Sequence, residues 1–286
     1  MLTLTEEEVR EAVRRALAED IGRGDVTSLA TVPEGALAQA DVVAREPLVV
    51  AGLPLAEAAF RELSPAIQIE RRAADGQRVP AGSILLHLAG PARSMLSAER
   101  VALNFVGRLS GIATLAAQFV AAVAGTTARI LDTRKTTPCW RRLEKYAVAC
   151  GGGQNHRLGL FDMVLIKDNH LAVLARESPD PIGLAVRRAR AQCPALTVEV
   201  EAETLAQVRQ AVAAGADVVL LDNMSVDGLR QAVATVAGRA KTEASGNVTL
   251  STVRTIAETG VDFISVGGLT QAARAMDIGL DFQPAI

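Results

Sequence analysis

Residues 132–170 read DTRKTTPCWRRLEKYAVACGGGQNHRLGLFDMVLIKDNH and combine a dense set of cations with a triple glycine. The cationic side chains of this stretch are Arg134, Lys135, Arg141, Arg142, Lys145, His156, Arg157 and Lys167. Backbone N–H groups at glycine turns, together with cations, are typical of anion-binding sites. The stretch therefore predicts a site for a small, highly anionic ligand.

The chain as a whole is nearly neutral, so the cluster of cations is a local feature. The 286 residues carry a formal net charge of −2, are 49% hydrophobic and are 3% aromatic. A nearly neutral chain has no global basic field for nucleic acid, and few aromatic rings are present to stack on bases. We therefore predict no nucleic-acid partner and enough apolar residues for one large domain or two smaller ones.

The cysteines and the N-terminus predict a cytoplasmic protein. Cys139, Cys150 and Cys193 form no CxxC pair, and the first twenty residues are acidic and amphipathic. These features are typical of a reducing compartment and of a chain without an export signal. No run of about 18 apolar residues is evident, so we predict no membrane span.

Residues 1–123 predict a mixed layer of helices and short strands. Thr5 followed by three glutamates marks a capped helix start. Alternating or β-branched residues predict strands at 38–44, 67–72 and 84–88, with a helix at 54–63. Two helices are expected between residues 95 and 123. There Gly107 and Gly111 allow a bend or the close approach of another backbone.

After residue 128 the pattern changes to a β/α alternation, which occurs in barrels and in doubly wound sheets alike. The predicted strands are 128–131, 163–166, 197–200, 218–221, 241–244 and 263–266. Each is followed by polar, charged or glycine residues: 132–135, 167–168, 201, 222, 245–246 and 267–268. Because the carboxyl ends of barrel strands converge on one mouth, these residues predict one shared site.

The last two strand ends predict phosphate binding. Ser245 and Gly246 lead toward a helix near Thr249, and Gly267 and Gly268 lead toward a helix near Thr270. Glycines at helix N-termini present N–H groups to anions, and barrels often bind phosphate after their last strands. The earlier triple glycine is then better interpreted as a connection that places His156 and Arg157.

Several polar residues have structural interpretations that compete with functional ones. Arg141, Arg142 and Lys145 are expected on a solvated helix face or at a phosphate edge, and His87 is expected to be structural, with no nearby partner. Glu199 shares a strand face with Glu201 by the period of two, so the pattern alone does not choose between them. Arg100, in an apolar helix, either snorkels to the surface or projects into a site or across a subunit interface.

The chain resembles the quinolinate phosphoribosyltransferase family. The motifs that carry the resemblance are DTRKTTP, LEKYAVACGGGQNHRLGLFD, LIKDNH, VEVE, LLDN, EASGN and ISVGGLT, in this order. The match runs essentially from end to end, and the motif of residues 144–170 is too long to arise by chance. In the family a glycine usually follows Thr-Pro, whereas Cys139 and Trp140 follow it here.

The resemblance implies an α/β fold of two domains and a defined reaction. Residues 1–112 would form an N-terminal α/β sandwich and residues 113–269 an incomplete α/β barrel of six or seven strands, with residues 270–286 packing back on the first domain. The implied activity joins quinolinate to phosphoribosyl pyrophosphate with Mg²⁺, giving nicotinate mononucleotide, pyrophosphate and carbon dioxide in NAD biosynthesis. A homodimer or higher oligomer, with active sites at the subunit interface, is also implied.

The resemblance also implies residue roles. The catalytic set is Lys135, Glu201 and Asp222, of which Glu201 and Asp222 face the ribose and the metal. The quinolinate side is assigned to Arg100 from the neighbouring subunit, Thr133, Arg134, His156 and Arg157. Lys135 and Lys167 lie where carboxylate and pyrophosphate meet. The 5′-phosphate loops are Ser245, Gly246, Asn247, Gly267 and Gly268.

Two other functions remain open from the sequence. One is the related molybdenum-utilisation paralogue, against which the retained residues 167–170, KDNH, argue. The other is a noncatalytic sensor that binds a phosphate ligand without reaction. A product assay beside a calorimetric binding measurement separates the sensor from an enzyme.

Overall fold

The structure is a computed structural model that describes residues 2–284. Its helices are α1 (Glu6–Ile21), α2 (Val26–Thr31), α3 (Leu53–Leu63), α4 (Ala92–Ala122), α5 (Arg141–Cys150), α6 (Asp168–Leu174), α7 (Pro181–Gln192), α8 (Leu205–Ala213), α9 (Val226–Val236), α10 (Val253–Ala257) and α11 (Gly268–Gln271). Its strands are β1 (Leu37–Ala44), β2 (Leu48–Val49), β3 (Gln68–Arg71), β4 (Arg78–Val79), β5 (Ile84–Pro91), β6 (Arg129–Leu131), β7 (Val164–Ile166), β8 (Val198–Ala202), β9 (Val218–Asp222), β10 (Lys241–Ser245), β11 (Phe263–Ser265) and β12 (Ile278–Pro284).

The chain forms two compact units. The first comprises Met1–Ala117, Arg142–Gly152 and Ala272–Ile286, and the second comprises Gln118–Arg141 and Gly153–Gln271. From the sequence, the domain boundaries are expected at residues 112 and 269. The main difference is residues 142–152, which the sequence pattern assigns to the barrel and which group with the first unit.

The first unit is built on an antiparallel sheet of order β12-β1-β5-β3, and β2 pairs with β4 beside it. His87 on β5 lies opposite Asp41 on β1, and its Nδ1 is 2.7 Å from Asp41 Oδ1. The structural interpretation of His87 fits this position, but the expectation that it lacks a partner is wrong. The partner comes from a strand 46 residues away in sequence, which local spacing does not reveal.

Helix α1 begins where the sequence predicts, because Thr5 and Glu8 form a reciprocal capping box. Helix α4 departs from the prediction: residues 92–122 form one helix of 31 residues rather than two. Gly107 and Gly111 do not end it. They allow the close backbone approach, since Met276 N donates to Gly107 O at 2.9 Å.

Helix α4 is also long and apolar enough to cross a membrane, judged by length and composition alone. The helix departs from the expectation of no run of about 18 apolar residues, but it does not contradict the prediction of no membrane span. Of the apolar window, 61% is buried inside the structure. Burial of this kind is typical of the core helix of a soluble protein.

Helix α5 departs from the expectation that its cations lie on a solvated face. Lys145 is 0% exposed, so it does not lie on a solvated face. The Arg142 guanidinium donates to Glu8 Oε1 at 2.6 Å, within the same unit. Tyr146 donates to Asp75 Oδ2 at 2.6 Å, and burial raises the pKa of the Tyr146 hydroxyl far above its usual value. These side chains therefore fasten the segment to the first unit.

The second unit contains a parallel sheet of six strands in the order β6-β11-β10-β9-β8-β7. All six predicted strands are confirmed. Among the described residues, no ladder joins the edge strands β6 and β7, so the α/β barrel is incomplete. Because all six strands are parallel, their carboxyl ends lie along one edge, where the polar residues of the sequence analysis follow.

Candidate active site

A cavity of about 590 Å³ lies at the carboxyl ends of the parallel strands, within the second unit. Thirteen predicted site residues line it: Thr133, Arg134, Lys135, His156, Arg157, Lys167, Glu201, Asp222, Ser245, Gly246, Asn247, Gly267 and Gly268. Seven more complete the lining: Leu165, Leu220, Asn223, Glu243, Val248, Ser265 and Gln271. The strand ends therefore do converge on one site.

Arg100 is the predicted residue that does not line this cavity. It lies in α4, in the first unit, and its side chain is exposed. Gly151, Gly152 and Gly153 are also absent from the lining. A Cβ on Gly151 would lie 2.3 Å from the carbonyl oxygen of Ala113, so close packing accounts for that glycine.

Arg134 and Arg157 both line the cavity, and their charges interact. Burial, followed by the charge of Arg134, lowers the pKa of Arg157 below its usual value. Arg134 Nε is itself buried and has no hydrogen-bond partner in the structure. Two interacting like charges favour an anion that can bind both, and the planar guanidinium suits a carboxylate.

The loop that carries Arg157 is fixed to the end of β6. Asp132, which is 0% exposed, accepts from Asn155 Nδ2 at 2.6 Å through Oδ2 and from the His156 backbone N–H at 2.9 Å through Oδ1. Gln154 forms a parallel bridge with Leu131. The loop is therefore held by backbone and side-chain bonds before any ligand binds.

The acidic side of the cavity comes from adjacent strands. Glu201 on β8 and Asp222 at the end of β9 both line it, and Lys167 Nζ lies 3.2 Å from Glu201 Oε2. Asp222 Oδ2 accepts from Asn223 Nδ2 at 2.6 Å. His170 accepts from the Lys167 backbone N–H at 2.9 Å, so it caps α6 and does not line the cavity.

Glycines close the opposite side. A Cβ on Gly267 would lie 3.0 Å from Lys135 Cδ, so the lysine stem packs over this loop. A Cβ on Gly246 would lie 2.2 Å from Asn223 Oδ1, and Gly246 has a φ of +103°. The helices that follow are short: α10 begins at Val253 rather than near Thr249, and α11 has four residues. Loop N–H groups, rather than long helix dipoles, would have to bind a phosphate here.

Cys139 occupies a turn after β6 with a φ of 65°, in the left-handed region. A non-glycine residue there costs about 1–2 kcal/mol, because its Cβ approaches the following carbonyl oxygen. A positive φ explains why the family usually has glycine at this position. The chain keeps the turn geometry, with Trp140 N donating to Thr137 O at 3.1 Å, in spite of the cysteine.

Two acids beside His156 were not assigned to the site from the sequence. Glu199 on β8 is 1% exposed and Glu243 on β10 is 2% exposed, and His156 Nε2 lies 3.0 Å from Glu199 Oε2. Glu243 lines the cavity, whereas Glu199 is not part of the lining. The available signal is a glutamate inside each predicted strand. Glu201 is preferred to Glu199 because it ends the strand and matches the family motif, and no local pattern distinguishes Glu243 from a surface glutamate.

The fold and the cavity define a β/α-barrel enzyme whose substrates carry carboxylate and phosphate groups. The model of the quinolinate phosphoribosyl transferase N-terminal domain matches residues 25–110, and that of the C-terminal domain matches residues 112–281. These matches cover most of the chain. The chain belongs to the quinolinate phosphoribosyl transferase family.

Individual relatives agree with this family. The nicotinate-nucleotide pyrophosphorylase [carboxylating] of Mycobacterium leprae is 44% identical over 278 residues, which cover 95% of this chain and 96% of that protein. The probable enzyme of the same name from Bacillus subtilis is 40% identical, covering 96% and 93%. The solved nicotinate-nucleotide pyrophosphorylase of Francisella tularensis superposes with a TM-score of 0.93 at 40% identity, covering 99% of this chain and 98% of that one.

Proposed function

We propose that this chain transfers the phosphoribosyl group of phosphoribosyl pyrophosphate to quinolinate with loss of carbon dioxide. The products are nicotinate mononucleotide and pyrophosphate, in the biosynthesis of NAD. The observation that carries the proposal is the division of one cavity into a guanidinium side, an acidic side and a glycine side. Each side matches one part of the two anionic substrates.

The guanidinium side is assigned to quinolinate. Arg134 and Arg157 are close enough for their charges to interact, and the two carboxylates of quinolinate would relieve that repulsion. Thr133 and His156 complete this side. Lys135 and Lys167 are assigned to the place where the carboxylate and the pyrophosphate meet, so that substrate charges are neutralised as they come together.

The acidic side is assigned to the ribose and to Mg²⁺. Glu201 and Asp222 offer carboxylate oxygens, the donor type that Mg²⁺ prefers, and one or two carboxylates with substrate phosphates suffice. This donor set fits the ion. When bound, Mg²⁺ would neutralise charge on the pyrophosphate. The two carboxylates would also stabilise the positive charge that develops on the ribose carbon.

The glycine side is assigned to the 5′-phosphate. Ser245 offers a hydroxyl, and Gly246, Asn247, Gly267 and Gly268 offer backbone N–H groups. Lys135 lies over the second of these loops. A phosphate there would be bound by neutral donors beside Lys135, which is also assigned to the place where the carboxylate and the pyrophosphate meet.

The reaction requires no covalent nucleophile from the protein. The ring nitrogen of quinolinate forms a bond to the ribose carbon while the bond from that carbon to pyrophosphate breaks. The pyridine ring is then cationic, so the adjacent carboxylate leaves as carbon dioxide and its bonding electrons stay on the ring carbon, which takes up a proton. The protein orients the two substrates and stabilises their charges.

The proposed activity is tested directly by turnover. Wild-type protein with quinolinate, phosphoribosyl pyrophosphate and Mg²⁺ is expected to release carbon dioxide and nicotinate mononucleotide in equal amounts. Lys135→Ala is expected to lower kcat/KM by about 10²-fold or more, because it removes a cation from the reacting groups. Liquid chromatography of the nucleotide and trapping of labelled carbon dioxide measure both. Binding without product in a folded preparation would instead indicate a sensor.

The proposal includes a cytoplasmic homodimer or higher oligomer in which Arg100 serves the partner's site. If so, Arg100→Ala and Lys135→Ala are each inactive, but a mixture regains activity. A mixed dimer has one site with both residues intact, so random exchange restores about one quarter of wild-type sites. The assay is turnover after mixing, with each variant alone as control. A mixture that stays inactive while mixed dimers form contradicts the shared site.

A further inference from the structure

Two buried acids and a histidine lie together at the bottom of the cavity, and the proposed roles do not use the acids. Glu199 lies on β8 and Glu243 lies on β10, on either side of β9. In a β/α barrel, alternate strands place their side chains in the same interior layer, which explains how residues from these two strands meet. His156 Nε2 is 3.0 Å from Glu199 Oε2 and 3.5 Å from Glu243 Oε2.

The two carboxyl groups belong to one buried cluster. Burial, followed by the charge of Glu199, raises the pKa of Glu243 well above its usual value, which favours its neutral form. Glu199 Oε1 and Glu243 Oε1 are buried and have no hydrogen-bond partner in the structure. A protonated Glu243 would have a hydroxyl to donate within this cluster. Glu199 Oε2 accepts from His156 Nε2 at 3.0 Å.

The histidine connects this pair to the substrate side. Its Nδ1 accepts from the Arg157 backbone N–H at 2.8 Å, so the ring proton lies on Nε2, which donates to Glu199. Both ring nitrogens are thereby engaged with protein groups, so His156 belongs to the quinolinate side as the residue that positions Arg157 rather than as a direct ligand. Glu243, Glu199, His156 and the Arg157 backbone form one chain of hydrogen bonds, from the barrel interior to the loop that carries the Arg157 guanidinium.

We infer that Glu199 and Glu243 are positioning residues, which act through His156 to hold Arg157 in the orientation that binds the quinolinate carboxylates. This inference rests on the proposed function, because it names what orients the quinolinate side of that site. Glu199 provides the acceptor for the His156 ring. Glu243 packs beside this bond, with Oε2 at 3.5 Å from His156 Nε2. Neither acid contacts the reacting atoms.

The same three groups are also a possible set of metal ligands, since their ligand atoms lie within 4.8 Å of one another. A divalent cation there would favour two charged carboxylates, whereas burial favours one neutral and one charged group. The hydrogen-bond chain accounts for the distances without an ion. Metal analysis of the purified protein is therefore part of the test.

The experiment compares Glu199→Gln with Glu243→Gln. Glutamine at 243 still offers a donor to Glu199, so KM for quinolinate is expected to rise by less than in Glu199→Gln. Glutamine at 199 replaces the carboxyl group that accepts from His156 with an amide, a weaker acceptor, so KM for quinolinate is expected to rise at least about tenfold. KM for phosphoribosyl pyrophosphate is expected to change less than about twofold in both variants, because the glycine and acidic sides are untouched.

A second measurement reports on the wild-type protein itself, and a variant serves only to assign the signal. Nitrogen-15 NMR of labelled histidine is expected to show His156 as the tautomer protonated on Nε2, with His156→Asn used for assignment. In the His156→Asn background, Glu199→Gln is expected to cause little further increase in KM for quinolinate, because both changes interrupt one chain.

Three results would overturn the inference. They are equal quinolinate KM in Glu199→Gln and wild type, an Nδ1-protonated His156, or a stoichiometric divalent metal that is lost in Glu243→Gln. A wild-type protein without turnover is a different outcome, because it rejects the proposed function itself. The two failures are therefore distinguishable.

Discussion

Replacing Arg157 with alanine is expected to lower kcat/KM for quinolinate by about 10²–10³-fold, without unfolding the protein. Truncating one partner of a desolvated, hydrogen-bonded charge pair costs about 2–5 kcal/mol, which corresponds to about 30- to 5,000-fold in rate, and the expected change lies within that range. In the ligand-free protein, Arg157 carries a lowered pKa because of burial and Arg134. Its guanidinium Nη1 donates to Met163 O at 3.3 Å, which leaves further N–H groups for a dicarboxylate.

The same argument predicts the effect on stability. Removing one of two juxtaposed guanidinium groups relieves repulsion, so the melting temperature of ligand-free Arg157→Ala is expected to equal or exceed that of wild type. Quinolinate is expected to raise the melting temperature of wild type by mass action and to leave the variant unchanged. Steady-state kinetics and differential scanning fluorimetry measure the two effects.

Two control variants make this prediction specific. Arg157→Lys keeps a charge but loses the planar fork, so it is expected to recover only a small part of the activity. Arg209→Ala removes an exposed arginine on α8, away from the cavity lining, and is expected to stay within about twofold of wild type. Wild-type quinolinate affinity in Arg157→Ala would show that this guanidinium does not bind the dicarboxylate.

Much of the second unit follows from local sequence, because each strand is a short apolar run that ends in a polar residue. The end of β9 at Asp222 is a clear case: four apolar residues precede the carboxylate, and the parallel sheet places it in the cavity. The parallel sheet then brings these residues together, because the carboxyl ends of parallel strands lie along the same edge. Ten of the thirteen predicted lining residues lie at such strand ends, whereas His156, Arg157 and Asn247 were assigned through the family resemblance.

The errors arise where a side chain meets a partner far away in sequence. Lys145 looks solvated from its helical neighbours, but tertiary packing buries it completely. Glu199 and Glu201 lie two residues apart and therefore point to the same side of β8. Only their positions along the strand distinguish the buried Glu199 from Glu201, which lines the cavity. Helix α4 looks like two helices because glycine has low helix propensity, yet packing against the C-terminal segment keeps it continuous.

That packing leads to the prediction with the largest expected effect on stability. In a helix interior, Gly→Ala ordinarily raises stability by about 0.5–1 kcal/mol. At Gly111 the new Cβ would lie 1.8 Å from the backbone carbonyl oxygen of Arg274, in the same unit. A backbone atom cannot rotate away as a side chain can, so either the helix or the C-terminal segment must move.

Gly111→Ala is therefore expected to lower the free energy of unfolding by about 3 kcal/mol, the upper end of the usual cost of overpacking. Urea denaturation followed by circular dichroism measures this free energy.

Gly107→Ala, where the new Cβ would lie 3.0 Å from Met276 O, is expected to lower the free energy of unfolding by less. Gly228→Ala in α9, where the nearest atom is Ser225 Oγ at 3.3 Å, is the matched helical control. The expected order of stability is Gly228→Ala, then Gly107→Ala, then Gly111→Ala. A Gly111→Ala protein as stable as the control would mean that residues 274–275 do not lie against α4, because the three atoms nearest to the added Cβ all belong to Arg274 and Ala275.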